Sequence, residues 1–142
     1  MHGRILVVDD DPVVLSLLRE VLSMEGYDVR EAADAETALK SLPREPADLV
    51  LCDVRLPGMD GFALLRELRR TQPGADVVLM TGYASVDGAV DAMENGAADY
   101  LIKPLKPKEI VARLNALFER RRLEAELQKL EGELRSRFDM HN

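Results

Sequence analysis

Polar side chains that could do chemistry follow four separate apolar runs of this 142-residue chain. The runs are residues 5–8, 49–52, 77–80 and 100–102, and the polar residues that follow them are Asp9 and Asp10, Asp53, Thr81, and Lys103. A short continuous apolar run is typical of a strand that is buried on both faces. Taken alone, Asp53 is a strand-ending residue that starts a turn. If the four strands are parallel neighbours, all five side chains lie at the sheet edge where open α/β folds place their sites.

Three carboxylates at one edge cannot all stay ionised without compensating charge. A hard divalent cation supplies it, and Mg²⁺ typically takes one or two carboxylates, several waters and a phosphate oxygen. Lys103 offers a compact positive charge and Thr81 a hydroxyl donor, which both suit phosphoryl oxygens. A carboxylate is a competent nucleophile for phosphoryl transfer, which depends mostly on positioning and charge neutralisation. Asp53 is the candidate acceptor because it stands alone after the central strand.

The rest of the chain supplies the elements that position these residues. Strands are predicted at residues 4–8, 27–30, 49–52, 77–80 and 100–102, and helices at 12–25, 35–42, 61–70 and 86–94. Asp11 followed by Pro12 is a favourable helix start, and a long fifth helix begins at Pro107. The alternation predicts an α/β fold with a doubly wound, five-stranded parallel sheet. If the strand order is 2-1-3-4-5, strands one and three are neighbours where the order reverses.

Composition excludes several classes of function. Charged residues make up 32% of the chain and hydrophobic residues 46%, and no apolar run approaches the ~20 residues of a membrane span. The amino terminus has no secretion signal, so we expect a cytoplasmic protein with no membrane partner. Residues 1–106 carry 11 basic and 19 acidic side chains, a balance of −8 that argues against direct nucleic-acid contact by this segment. Cys52 is the only cysteine, which excludes an internal disulfide, and we expect it to be buried.

Four ordered motifs resemble the receiver domain of bacterial two-component response regulators, over about residues 3–118. They are Ile5-Leu6-Val7-Val8-Asp9-Asp10-Asp11, Leu51-Cys52-Asp53-Val54-Arg55-Leu56-Pro57-Gly58-Met59-Asp60-Gly61, Met80-Thr81-Gly82 and Asp99-Tyr100-Leu101-Ile102-Lys103-Pro104. The resemblance implies a CheY-like fold with the strand order 2-1-3-4-5. It also implies a signalling switch rather than an enzyme, because a receiver domain promotes only its own phosphorylation and dephosphorylation. It also implies that Asp53 accepts a phosphoryl group from a phosphohistidine on a sensor histidine kinase.

The same resemblance implies roles for the residues around Asp53. Asp10 and Asp53 ligate Mg²⁺ directly, Asp9 ligates it through water, and the backbone carbonyl of Arg55 adds a ligand; Mn²⁺ can substitute. Thr81 and Lys103 hold the phosphoryl oxygens. Tyr100, which alone is an ordinary half-buried strand aromatic, becomes the switch that turns inward as Thr81 moves toward the phosphate. The Lys103–Pro104 peptide is expected to be cis.

Three other classes of protein fit these residues less well. A haloacid dehalogenase-type phosphatase also uses an aspartate nucleophile with Mg²⁺, but that family has Asp-x-Asp-x-Thr after its first strand, and Val13 stands here in place of the threonine. A flavodoxin-like flavin binder would have a loop rich in serine, threonine and glycine after strand one. A dimerisation module with an inactive site is disfavoured by the intact Asp53, Thr81 and Lys103.

The carboxyl-terminal helix is longer than a receiver needs. Apolar residues up to about residue 118 can cover the sheet, so we predict a receiver domain at 1–118 and a helical linker at 119–142. The linker carries an apolar stripe at alternating spacings of four and three: Leu123, Leu127, Leu130 and Leu134. This spacing is typical of a coiled coil, and it predicts a parallel homodimer through this helix and the face formed by the fourth helix and fifth strand.

Charge complicates the predicted coiled coil. Glutamates flank the stripe and would face each other in a parallel pair: Glu119, Glu124, Glu126, Glu131 and Glu133. The alternative is a single solvated helix supported by the pairs Glu131–Arg135 and Glu133–Arg137. Residues 134–142 also resemble the linker that precedes the AAA+ ATPase domain in NtrC-type, sigma-54-dependent transcriptional activators. That resemblance implies an output domain that is absent from this chain.

Overall fold

The computed structural model describes residues 3–83 and 85–140, in which strands and helices alternate. The strands are β1 (Arg4–Val8), β2 (Asp28–Ala32), β3 (Leu49–Asp53), β4 (Asp76–Thr81) and β5 (Asp99–Ile102). The helices are α1 (Pro12–Met24), α2 (Ala35–Ser41), α3 (Gly61–Thr71), α4 (Val86–Glu94) and α5 (Pro107–Met140). The chain divides into two compact units, of which the first ends at Pro107 and the second begins at Lys108.

All neighbouring strands of the sheet are parallel, in the order β2-β1-β3-β4-β5. The predicted fold class and strand order are therefore confirmed. Val8 of β1 lies opposite Cys52 of β3, and Asp53 lies opposite Met80 of β4. This register brings the carboxyl ends of β1, β3 and β4 to one edge of the sheet, as the position of their polar residues requires.

Side-chain caps determine where four of the helices begin. Asp11, Asp34, Asp60 and Ser85 accept hydrogen bonds from the backbone N–H groups of Val13, Thr37, Ala63 and Gly88, respectively. Each bond satisfies an N–H group that has no partner within its helix. The predicted helix start at Asp11 and Pro12 is confirmed.

Four strands differ by one or two residues from their predicted bounds. β2 runs from Asp28 to Ala32 rather than over residues 27–30, β3 ends at Asp53, β4 covers Asp76–Thr81, and β5 begins at Asp99. β2 is an edge strand in which only Val29 and Ala32 are buried, and these two residues, three positions apart, face opposite sides of the sheet. A strand with so few buried positions has no continuous apolar run, so its ends are harder to place from sequence.

The central strand β3 is buried along its whole length. Leu49, Val50, Leu51 and Cys52 are 0% exposed, as expected for a strand of a parallel sheet covered on both faces. The thiol of Cys52 is free, and burial, with the charge of nearby Asp53, raises its pKa. The prediction of a buried cysteine is confirmed, and a thiol held protonated in this way is a poor nucleophile.

The described part of the second unit is the stretch of α5 from Lys108 onward, and the whole helix has 34 residues. A helix of that length extends for about 51 Å. Ile110, Leu114 and Phe118 are buried, whereas the side chains of the predicted stripe are exposed: Leu123 51%, Leu127 56%, Leu130 51% and Leu134 65%. Among residues 3–83 and 85–140, no helix combines the length and apolarity needed to cross a membrane.

The ion pairs in the exposed part of α5 lie in its first turns. Arg120 pairs with Glu124, and Arg122 pairs with both Glu119 and Glu126. Within the described residues, the predicted Glu131–Arg135 and Glu133–Arg137 pairs are not formed. The final residues of the predicted linker motif, His141 and Asn142, lie outside the described part of the chain.

Candidate functional site

Three carboxylates converge at the edge of the sheet. Asp9 and Asp10 directly follow β1, and Asp53 is the last residue of β3. One oxygen of each carboxylate lies within 4.8 Å of one oxygen of each of the others. Asp9 is 0% exposed and Asp53 is 7% exposed, whereas Asp10 is exposed. The cluster is therefore buried on one side and reaches solvent through Asp10.

Lys103 bridges two members of this cluster. Its Nζ lies 3.1 Å from Asp9 Oδ2 and 3.2 Å from Asp53 Oδ2. The residue directly follows β5, and the peptide bond that joins it to Pro104 is cis, which confirms that prediction. The bridge spans four strands of the sheet, from β5 across β4 to β3 and β1. The sequence placed Lys103 at this edge but did not indicate that its amine would contact two carboxylates.

One lysine does not balance the negative charge of the cluster. Burial raises the pKa of Asp9, and the charge of Asp53 raises it further, against the lowering effects of the Asp11 N–H and of Lys103. Burial alone would lower the pKa of Lys103, but its bonds and charge attraction to Asp9 and Asp53 outweigh burial, and its pKa is raised. Three carboxylates beside one protonated lysine leave an excess of negative charge, which would favour a bound cation.

Backbone N–H groups orient the two buried carboxylates. Asp9 Oδ1 accepts a hydrogen bond of 2.9 Å from the N–H of Asp11, and Asp53 Oδ1 accepts one of 3.3 Å from the N–H of Arg55. Each buried carboxylate therefore has one oxygen toward its own loop and the other toward Lys103. This fixes their orientation before any ligand arrives.

The donor set fits a magnesium ion. Three carboxylates with ligand oxygens this close, one of them exposed, match the preference of Mg²⁺ for oxygen ligands and retained waters. Asp9, Asp10 and Asp53, as predicted from the sequence, are the residues that would hold it. The carbonyl of Arg55 as a further ligand stays a prediction.

Thr81 lies at the same edge. It is the last residue of β4 and is 3% exposed, one position beyond the pairing of Met80 with Asp53. Its Oγ1 accepts a hydrogen bond of 3.0 Å from the N–H of Tyr83. The hydroxyl proton is not used in that bond, so Thr81 retains a donor for a phosphoryl oxygen.

Tyr100 lies on β5 and is half-buried against the core. A Cβ added at Gly88 would lie 3.0 Å from the Tyr100 hydroxyl oxygen, so the tyrosine reaches the first turns of α4. The structure thus places the predicted switch residue between the sheet and the helix that follows Thr81. The switching motion itself remains a prediction.

Two features of the site were missed by the sequence reasoning. Arg55, whose predicted metal-binding role uses only its backbone carbonyl, places its guanidinium over the ring of Tyr83, with Cζ 3.7 Å from the ring centroid. A Cβ at Gly61 would lie 2.5 Å from the carbonyl oxygen of Asp53, so glycine is required where α3 begins. The sequence holds a signal for the Arg55–Tyr83 contact, because each residue stands two positions after a strand-ending site residue.

Comparison with known families agrees with this geometry. The family model described as the response regulator receiver domain matches residues 5–115. The chain belongs to the response regulator receiver family. Receivers are a regulatory family rather than a catalytic enzyme family, and the match leaves the haloacid dehalogenase-type alternative without support.

Relatives of this receiver include transcriptional regulators. It is 47% identical to the transcriptional regulatory protein AruR of Pseudomonas aeruginosa, over 84% of this chain and 51% of AruR. It is 41% identical to the alginate biosynthesis transcriptional regulatory protein AlgB of the same organism, over 97% of this chain and 31% of AlgB. The crystal structure of NtrX from Brucella abortus superposes with a TM-score of 0.85 at 34% identity, over 92% of this chain and 30% of NtrX. The chain thus spans about half or less of these proteins.

Proposed function

We propose that the protein is a phosphorylation-dependent switch in which Asp53 accepts a phosphoryl group from a phosphohistidine of a sensor histidine kinase. The observation that carries this proposal is the bridge from Lys103 to Asp9 and Asp53 beside exposed Asp10. This arrangement brings together, at one edge of the sheet, the buried Asp53 carboxylate as nucleophile, the Lys103 ammonium and three carboxylates that could ligate a metal ion. Mg²⁺, for which Mn²⁺ can substitute, would supply neutralisation of the charge that develops on the phosphoryl oxygens.

The residues of the site divide the work of the transfer. A carboxylate oxygen of Asp53 attacks phosphorus, and an O–P bond forms as the N–P bond of the phosphohistidine breaks. Lys103 Nζ, which lies 3.2 Å from Asp53 Oδ2, then donates its hydrogen bond to a phosphoryl oxygen instead. Thr81 donates its hydroxyl proton to another, and Tyr100 follows the movement of Thr81. Preorganised donors of this kind stabilise charge in the transition state at little reorganisation cost.

The proposal is tested with a small phosphodonor. The protein incubated with acetyl phosphate and Mg²⁺ should gain one phosphoryl group by intact mass, and EDTA should prevent the gain. Asp53→Asn should remain unlabelled. Asp11→Asn is the matched control, because it removes a neighbouring carboxylate from a helix cap that asparagine also fills; it should be labelled as the wild type is. Equal labelling of Asp53→Asn would overturn the assignment.

We assign the kinase contact to the start of α1. Val13 is 73% exposed and Leu17 40% exposed, and they line a groove together with Pro12, Ser16 and Glu20. The groove lies a few residues after Asp10, the exposed member of the carboxylate cluster. An apolar surface next to the phosphoacceptor suits a helical domain that presents a phosphohistidine.

We infer a homodimer that uses two surfaces. Val86, Val90 and Met93 are 80%, 49% and 52% exposed and follow helical spacing on α4, and Ile102 of β5 is 57% exposed. The leucine stripe of α5 is the second surface. Exposed apolar residues at coiled-coil spacing are covered when two copies associate.

The proposed domain organisation has a receiver at residues 1–118 and a helical linker at 119–142 that leads to an output domain. The support is that the relatives matched along most of this chain are about two to three times its length and are named as transcriptional regulators. Together with the resemblance of residues 134–142, this favours an output domain that activates transcription, of the sigma-54-dependent type. The proposed location is the cytoplasm.

A further inference from the structure

A stacked pair links the two loops that leave the site. The guanidinium carbon of Arg55 lies 3.7 Å from the centroid of the Tyr83 ring. A cation over an aromatic face is attracted by the ring quadrupole. Arg55 follows Asp53 by two residues and Tyr83 follows Thr81 by two, and β3 and β4 are neighbours. The Arg55–Tyr83 stack therefore joins the loop that follows the phosphoacceptor Asp53 to the loop that follows Thr81.

Both members of the stack are also bonded to the site through their backbones. The N–H of Tyr83 donates to Thr81 Oγ1 at 3.0 Å, and the N–H of Arg55 donates to Asp53 Oδ1 at 3.3 Å. The Thr81 hydroxyl can donate its proton to a phosphoryl oxygen, but its oxygen is bonded to the N–H of Tyr83, so a movement of Thr81 toward Asp53 either carries this N–H along or breaks the bond. The stack therefore restrains Tyr83, whose N–H is bonded to Thr81.

The guanidinium of Arg55 is available for a stronger partner. Within residues 3–83 and 85–140 it forms no ion pair, and its side chain is exposed. A phosphoryl group adds a charge of about −1.5 to −2 and three strong acceptor oxygens. Arginine binds phosphate through two parallel N–H bonds, which are stronger than an exposed cation–π contact.

We propose that the Arg55–Tyr83 stack is a latch that favours the unphosphorylated arrangement, and that a phosphoryl group on Asp53 opens it by drawing Arg55 off the ring. Opening frees Tyr83, and with it the Thr81 hydroxyl, to move toward the phosphoryl group. Arg55 and Tyr83 are thus positioning residues that act through Thr81. The proposal rests on the proposed function, because it takes Asp53 as the acceptor.

The test uses the whole chain with Mg²⁺ and beryllofluoride, a mimic of the phosphoryl group, and reads the side chain of Arg55 by NMR. In the free protein the Tyr83 ring should shield the Arg55 side-chain protons, and Tyr83→Leu should remove the shielding. Beryllofluoride should remove it from the wild type. Arg55 protons that stay shielded in the beryllofluoride complex would overturn the latch.

Affinity gives an independent measurement. Tyr83→Leu, which lacks the latch but keeps the cation, should bind beryllofluoride about two- to fivefold more tightly than the wild type, the factor that an exposed cation–π contact corresponds to. Tyr83→Phe keeps the ring and should match the wild type. Arg55→Met loses both the latch and the attraction, so its binding should not tighten, and adding Tyr83→Leu to it should change nothing.

The controls separate this proposal from the proposed function. Arg66→Met removes an exposed cation from α3 and should leave binding unchanged. If the wild type binds beryllofluoride and Tyr83→Leu binds with the same affinity, the latch is wrong and the phosphoacceptor assignment stands. If the wild type does not bind beryllofluoride with Mg²⁺, both proposals fail.

Discussion

Charges are organised in opposite ways at the carboxylate edge of the sheet and along α5. At the edge, Lys103 joins Asp9 and Asp53, which are 94 and 50 residues away in sequence and largely buried. On α5, the ion pairs join residues three or four apart, and every partner is exposed. The ion pairs of Lys103 form only because the fold brings distant residues together, whereas the ion pairs on α5 require only that the segment is helical.

This difference separates a site from a surface. Exposed pairs at helical spacing contribute a few tenths of a kcal/mol and are screened by salt. Buried pairs hold charge under a desolvation penalty, and the raised pKa of Asp9 shows that the penalty is not fully offset. We infer that the edge is arranged for a ligand. We propose that the exposed leucines of α5 contact another copy of the chain.

The largest effect is expected from breaking the edge pairs. Lys103→Met should slow phosphorylation by about 100-fold or more, because a preorganised donor is lost. It should also lower the free energy of unfolding by about 2–3 kcal/mol, less than the 3–5 kcal/mol of a fully buried pair, because the Lys103 side chain is 24% exposed. Acetyl phosphate labelling and urea unfolding measure the two effects. Lys106→Met, at an exposed position, is the control; equal effects of both variants would contradict the account.

The next effect is a change of oligomeric state through α5. The protein should sediment as a dimer at high micromolar concentration, and the double variant Leu127→Ser with Leu130→Ser should sediment as a monomer, as should the chain truncated after Arg120. Since glutamates flank the stripe, added salt should strengthen this dimer by screening their repulsion. Gln128→Ser, next to the stripe, should leave the dimer intact. A wild-type monomer unchanged by truncation would rule out the coiled coil.

A smaller effect is expected at the proposed kinase contact. Val13→Lys should slow transfer from a phosphorylated histidine kinase by about tenfold, the effect of about 1.4 kcal/mol of lost contact, and leave labelling by acetyl phosphate unchanged. The same substitution at Met24, 81% exposed at the far end of α1, should change neither rate. Equal slowing with both phosphodonors would place Val13 in the site instead of the docking surface.

The smallest effect is a pH slope that belongs to the edge alone. Because the pKa of Asp9 is raised in the folded protein, the folded state binds more protons than the unfolded state just above the ordinary value of 3.8. The contribution of Asp9 to the free energy of unfolding should therefore fall as pH rises through that window, opposite in sign to the contributions of Asp34 and Glu119, whose pKa values are lowered. Asp9→Asn should remove this fall, measured by urea unfolding in EDTA, and Asp11→Asn should not. An unchanged slope in Asp9→Asn would show that its burial does not drive the shift.

The sequence predicted those elements of the fold that a local pattern of residues determines. The apolar run before Asp53 predicted a fully buried strand, and the alternation of strands with capped helices predicted a parallel sheet. Asp9, Asp10, Asp53, Thr81 and Lys103 were predicted to lie at one edge because the carboxyl ends of parallel strands meet. β2 was misplaced by one or two residues because only two of its residues are buried, so it has no continuous apolar run.

What the sequence did not predict depends on side-chain conformations and loop paths. The contact of Lys103 with Asp9 as well as Asp53 requires the lysine side chain to extend from the end of β5 past β4 and β3 as far as the end of β1. The stack of Arg55 on Tyr83 joins residues that are 28 positions apart in sequence (83 minus 55). The spacing places Arg55 and Tyr83 in neighbouring loops, each two residues after a strand end, but it does not indicate that their side chains touch, because the fold sets the side-chain conformations.

The central claim is that Asp53 carries the phosphoryl group, and the position of the label tests it most directly. Borohydride reduces an aspartyl phosphate to homoserine, which marks the modified residue permanently. After phosphorylation with Mg²⁺ and reduction, peptide mass spectrometry should find homoserine at position 53, and EDTA should abolish it. Homoserine at Asp9, Asp10 or another position, with Asp53 unmodified, would contradict the account.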